Sequence, residues 1–268
     1  MPALPRAIVT RPAQEAQAWV ADLRAAGLDA VAMPLIDIGP APDSAALANA
    51  WGQIHTYDAV MFVSANAASQ FFALRLPGTR DPFGPSLRAW ATGPGTHGAL
   101  AACGVRHDAI DAPPVDGAQF DSEALWQVVR SQVVSGKRVL IVRGRAAAEP
   151  QATPSPQGSG RDWLAQHVES AGGRVDFVVA YERRAPVWST EELEWVAQRA
   201  CDGSVWILSS AQGLGYLLEA APHQEWQGAR ALATHPRIAA AARQAGFGRV
   251  QVARPVLADI VASIESQA

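Results

Sequence analysis

Three short segments of this 268-residue chain occur twice, in the same order. Ile8-Val9-Thr10-Arg11 returns as Ile141-Val142-Arg143-Gly144, an offset of 141 − 8 = 133. Val60-Met61-Phe62-Val63-Ser64-Ala65 returns as Val205-Trp206-Ile207-Leu208-Ser209-Ser210, offset 205 − 60 = 145. Ala91-Thr92-Gly93-Pro94, followed by Gly104, returns as Ala233-Thr234-His235-Pro236, followed by Gly246, offset 233 − 91 = 142. Two copies are too few for a solenoid, so the pattern implies a duplicated domain. Each copy pairs an apolar run with a turn that starts a helix, the mark of parallel β/α architecture.

Apolar runs of strand length are expected at Ala7–Thr10, Asp29–Met33, Ala59–Val63, Arg88–Ala91, Asp108–Ile110, Arg138–Val142, Arg174–Val179, Ser204–Leu208, Arg230–Ala233 and Arg249–Val252. Helical patterns lie between them, among them 12–26, 65–75, 95–103, 122–133, 161–171, 210–220 and 236–245. The first βαβ unit, residues 1–34, is incomplete until the last segment supplies three more strands, whereas the middle of the chain holds both halves of a domain. The expected fold is therefore α/β: two similar parallel-sheet, flavodoxin-like lobes joined by a two-stranded linker. One lobe is discontinuous, 1–36 with 184–268; the other is continuous, 40–180. Residues 37–39 and 181–183 form the linker. Ala146–Gly160, with its interleaved Ala, Pro, Gly, Ser and Gln, reads as a mobile surface insertion.

Composition narrows the function classes. The net charge of −3 disfavours a broad nucleic-acid surface. No apolar run is long enough to span a membrane and no secretory signal pattern opens the chain, so the expected setting is the cytoplasm. Cys103 and Cys201, the only two cysteines, stand far apart and predict no disulfide. The six histidines lack metal-ligand spacing, which predicts no metal. Neither a glycine-rich dinucleotide loop nor a P-loop is present. Lys137 is the only lysine among 22 basic residues; a GC-rich genome explains the excess of arginine, although arginine also matches carboxylates bidentately.

Ligands of open parallel sheets bind at the carboxyl ends of the strands. Those ends carry Thr10-Arg11, Ser64-Ala65-Asn66, Thr92 through Thr96, Arg143-Gly144-Arg145, Ser209-Ser210 and Thr234-His235-Pro236. Hydroxyls and helix-start amides there would line an anion-binding surface, most of all if both edges face one cleft.

These loops, with Pro34 through Ile38, Tyr57-Asp58-Ala59, Gly93-Pro94-Gly95-Thr96 and Val179-Ala180-Tyr181-Glu182-Arg183, resemble the uroporphyrinogen-III synthase family over essentially the whole chain. The resemblance implies a cofactor-independent lyase acting on hydroxymethylbilane, a linear tetrapyrrole with eight carboxylates. In that family the bilane loses its hydroxyl as water, and the resulting azafulvene attacks the substituted carbon of ring D. A spiro intermediate then fragments and recloses with ring D inverted. The electron-rich pyrroles drive these steps, which leaves the protein to protonate the hydroxyl, shield the cation and hold the conformation. The alternative is a two-lobed cytosolic small-molecule sensor without catalysis. A monomer is expected, with transient contact to the upstream bilane-forming enzyme and no nucleic-acid or membrane partner.

Tyr181 matches the family's tyrosine and is the expected catalytic residue, since a phenol stays protonated at neutral pH and can protonate a departing hydroxyl; packing within the linker is its structural alternative. Ser64, Gly93, Thr96, Ser209 and Ser210 would hold carboxylates through hydroxyls and amides, while the hydroxyl-bearing residues serve equally as helix N-caps. Thr10, Arg11, Asn66, Arg143 and His235 complete the expected substrate-binding set. Where relatives carry a second threonine in the last lobe this chain has Ile238, so that hydroxyl contact does not carry over.

Overall fold

The computed structural model describes residues 4–75, 78, 81–117, 119–147 and 160–266. Its strands are β1 (Ala7–Val9), β2 (Ala30–Ala32), β3 (Asp37–Gly39), β4 (Ala59–Phe62), β5 (Arg88–Ala91), β6 (Ile110–Asp111), β7 (Arg138–Ala146), β8 (Arg174–Arg184), β9 (Val205–Leu208), β10 (Arg230–Ala233) and β11 (Arg249–Val252). They form a five-stranded sheet in the order β2-β1-β9-β10-β11 and a six-stranded sheet in the order β3-β8-β7-β4-β5-β6. Parallel pairing links β2 through β11 in the first sheet and β8 through β6 in the second. Without β3, the first sheet follows the doubly wound order 2-1-3-4-5, and the second has the same layout with its segments permuted, running 3-2-1-4-5 in chain order. The repeated segments occupy matching places: β1 and β7 second, β9 and β4 third, β10 and β5 fourth.

Strands buried on both faces need apolar residues at every position, which is why β1, β4 and β9 read as unbroken apolar runs. Successive side chains then feed two separate layers. Ile8, Trp206, Leu208 and Ala231 pack into one core of the first sheet, and Ala7, Val9, Val205 and Ile207 into the other. In the second sheet Val60, Phe62, Leu140 and Val142 share one layer, Met61, Trp90, Val139 and Ile141 the other. Helices end where the repeat placed glycines: Gly104 and Gly246 each sit at φ 90°, a conformation strained for any residue with a Cβ. The following amides, Val105 and Phe247, bond back to Leu100 and Ala242 and close the last turns.

By contact the chain divides into two compact units, Met1–Asp37 with Arg184–Ala268, and Ile38–Arg183. Each owns its core layers, with no buried residue shared. Several local expectations change. β3, at the edge of the six-stranded sheet, lies beside β8, and both include residues expected as the linker strands. Strand β7 runs to Ala146 rather than stopping at Val142, because its pairing with β8 continues. The stretch expected as a strand at Asp108–Ile110 is a 3-10 turn, His107–Ala109, leading into β6. Helix Ser122–Val129 gives way to a 3-10 turn, Arg130–Gln132, short of its expected end. Of the expected insertion at 146–160, residues 148–159 lie outside the described residues; Ala146 ends β7 and Gly160 begins a helix.

Candidate active site

At the carboxyl edge of the second sheet, alternation along three neighbouring strands converges on one face. Val60 and Phe62 point into one core layer, so Ser64, two residues on, belongs to the same side. Leu140 and Val142 do likewise and bring Gly144 there. Strand β8 reaches that side only through an irregularity: Arg143 pairs with Val179, but Gly144 pairs with Tyr181, leaving Ala180 as an extra residue. Such a bulge turns two consecutive residues toward one face. Ala180 and Tyr181 are accordingly both buried in the layer that holds Phe62 and Val142.

The bulge presses the phenol ring onto Gly144. A Cβ at that position would stand 2.3 Å from Tyr181 Cζ and 2.7 Å from Cε1, so only glycine admits the ring. The phenol hydroxyl lies 3.0 Å from Ser64 Oγ. Ser64 in turn caps helix Ala65–Phe72 by accepting from the Ala67 amide at 3.1 Å. Either hydroxyl can donate across this contact; when the serine donates to the tyrosine oxygen, the phenolic O–H is left to be offered elsewhere. One face past the bulge, the Arg145 guanidinium grips Glu182, donating Nε at 3.0 Å and Nη2 at 2.6 Å to the same Oε1.

Helix Pro94–Ala102 supplies amides to the same edge. No side chain caps it, its first residue is proline, and the next amides, of Gly95 and Thr96, have no partner inside the helix. Gly93 leads in with extended backbone, where an added Cβ would come within 2.9 Å of Phe120. Thr96 is buried, with its hydroxyl 3.5 Å from that of Thr92, which in turn lies 3.4 Å from the Val63 carbonyl. Asn66 stands half-buried in the first turn of helix Ala65–Phe72. His97, next to Thr96, has its pKa lowered by burial and by the neighbouring His107 ring, stacked at 5.1 Å.

The first unit repeats the arrangement with other chemistry. Ser210 caps helix Ala211–Ala220 through the Gly213 amide, and Ser209 precedes it, half-buried. His235 caps helix Pro236–Gln244: its Nδ1 accepts from the Arg237 amide at 3.1 Å, which places the ring proton on Nε2. Ile238 is buried in the core of that unit, so its apolar side chain has a packing role there.

Two expected cations are otherwise engaged. The Arg11 guanidinium bonds Glu15 at 3.1 Å and lies 4.7 Å over the Trp19 ring. Arg143 belongs to β7 rather than to a loop and stacks 4.6 Å over Phe177. The Thr10 hydroxyl, buried just past β1, donates to the Ile207 carbonyl at 2.6 Å and ties the end of β1 to β9. Among the described residues no group of three or more His, Cys, Asp or Glu is placed to hold a metal. No helix there is long and apolar enough to cross a membrane. The sequence placed Gly144 and Arg145 only within a strand-end loop and Glu182 only within the segment resembling the family, and gave none of the three a part in holding Tyr181. A glycine inside a strand pattern was the available signal of a bulge or a close approach.

Comparison with known proteins agrees in both sequence and fold. The sequence profile described as uroporphyrinogen-III synthase HemD matches residues 17–262. The uroporphyrinogen-III synthase of Salmonella typhimurium is 28% identical over 256 residues, covering 92% of this chain and 94% of that protein. That of Synechococcus elongatus is 32% identical over 180 residues, 67% of this chain and 61% of that protein. Among solved structures, uroporphyrinogen-III synthetase from Helicobacter pylori aligns over 99% of this chain and 100% of its own, with a TM-score of 0.58 at 14% identity. A mutant of the Thermus thermophilus enzyme aligns over 98% of each chain, with a TM-score of 0.51 at 16% identity.

Proposed function

Since the chain belongs to the uroporphyrinogen-III synthase family, we propose that it closes hydroxymethylbilane to uroporphyrinogen III with release of water, using the carboxyl edges of its sheets as the substrate-binding surface. The activity, that of a cyclising lyase of tetrapyrrole biosynthesis, rests on one observation: the family profile spans nearly the full chain. The geometry suggests how this chain's own residues contribute.

In this reading Tyr181 is the acid. Its hydroxyl, held on one side by Ser64, donates its proton toward the bilane hydroxyl as the carbon–oxygen bond breaks and water leaves. The pyrrole nitrogens supply the electrons, so a weak acid suffices. The azafulvene that forms must meet ring D before water does, and burial of the phenol among apolar side chains keeps the surroundings dry. At the edge of the second sheet, carboxylates of the substrate would meet the amides of Gly95 and Thr96, with Asn66 and Gly93 in the same set. At the edge of the first sheet, the hydroxyls of Ser209 and Ser210 and Nε2 of His235 would be donors of the same kind. Dipolar donors suit such a ligand, because they bind anions without burying a full counter-charge. Thr10, Arg11 and Arg143 support the strand ends in this scheme rather than touching substrate, given the partners they already hold.

Action as a monomer in a reducing cytoplasm, handed its unstable substrate by the enzyme that makes it, belongs to the same proposal. The two free cysteines are consistent with that setting.

The test is incubation with enzymatically generated hydroxymethylbilane, then oxidation and separation of the isomers. Type III product is expected to predominate. Type I product alone, formed at the spontaneous rate, would leave the chain as a binding protein.

A further inference from the structure

We propose that the Arg145–Glu182 ion pair is a positioning device: it selects the bulged register of β7 on β8 that delivers the Tyr181 phenol to Ser64. The inference rests on the reading of Tyr181 as the acid.

A bulge leaves a choice of pairing. Without it, β8 would continue in step past Val179, so that Gly144 faced Ala180, Arg145 faced Tyr181 and Ala146 faced Glu182. Nothing steric forbids that alternative, since a methyl group fits over Gly144 more easily than a phenol ring does. Slipping by one residue would carry Tyr181 to the opposite face of the sheet, away from Ser64. Burial of the Tyr181 ring beside Ala180 in the core also favours the observed register. The ion pair adds a second, polar selection. Arg145 and Glu182 face each other only in the observed register.

Its setting makes that discrimination strong. Among the described residues, Glu182 is the only carboxylate or cation classed as buried, with 8% of its surface exposed. The Arg145 side chain retains 16% of its exposure, so little water screens the contact. A slipped ladder would part the two charges. Buried pairs contribute little net stability, but selecting one register is their best-attested use.

The test is the paired replacement Arg145→Met with Glu182→Leu. Removing both charges strands neither, so the protein is expected to fold with its melting temperature nearly unchanged. Its kcat is expected to fall about tenfold, as for a phenol correctly placed in about a tenth of the molecules, with KM within about twofold of the parent. Added to Tyr181→Phe, the same replacements should cause no further loss, because both act on one group. With ring-¹³C-labelled tyrosine, the signal of Tyr181 should shift or double, while those of Tyr57 and Tyr216 stay in place. A parental kcat in the paired variant, or a loss that multiplies the effect of Tyr181→Phe, overturns the proposal. Should Tyr181→Phe itself turn over like the parent, the reading of the acid fails first and the pair's role with it.

Discussion

Tyr181 is held by what surrounds it at atomic range: the bare α-carbon of Gly144 beneath the ring and the Ser64 hydroxyl at its oxygen. Two substitutions separate these contributions. Tyr181→Phe keeps the packing and deletes one hydrogen bond, at a stability cost of about 1 kcal/mol. Its kcat is expected to drop at least about tenfold, toward the ~10²–10⁴ typical of a lost general acid; steady-state rates of type III formation beside thermal melts give the two numbers. Gly144→Ala keeps the phenol but drives a methyl group into it. Overpacking of this kind costs roughly 1–3 kcal/mol, and the ring must leave Ser64 to relieve it. The alanine variant should therefore be both less stable and slower, whereas a variant of parental rate would show that the ring does not need its present place.

Helix starts contribute differently in the two units. Helix Ala211–Ala220 is capped by Ser210, and Ser210→Ala should destabilise the protein by about 1 kcal/mol, read from urea unfolding. Helix Pro94–Ala102 has no side-chain cap, which leaves its first amides available to an anion. Its His97 has a pKa lowered first by burial and then by His107. The unfolded chain therefore binds a proton on this group at a higher pH than the folded protein does. Stability should be full above the ordinary histidine pKa of about 6.5 and should fall as pH drops from there toward the depressed folded value. Unfolding midpoints for His97→Gln should show a flatter slope between about pH 7 and 5 than the parent; an unchanged slope would assign the pH dependence to other groups.

At the scale of the molecule, duplication with crossed segments has a folding consequence. Ile38–Arg183 contains all but the two end residues of the six-stranded sheet and both of its cores in a single stretch of chain, whereas the other unit needs residues from both ends. A fragment of residues 36–185 is expected to fold alone and to unfold cooperatively, as seen by circular dichroism and amide dispersion. Residues 185–268 by themselves should not fold, because they lack β1 and β2, one of them the central partner of β9.

Most strand positions and the two mostly parallel sheets could be read from the chain, because a strand buried on both faces must be apolar throughout and a parallel crossover must contain a helix. The helix-start roles of Ser64, Ser210 and His235 were likewise legible, since capping depends on residues three apart or nearer. What lies across strands was not. The bulge at Ala180, the ring resting on Gly144 and the pairing of Arg145 with Glu182 depend on register between segments about 37 residues apart, as with Arg145 and Glu182. Local pattern carries no information about that register, and so the chemistry of Tyr181 was suggested by the sequence while its orientation was decided by the packing of two neighbouring strands.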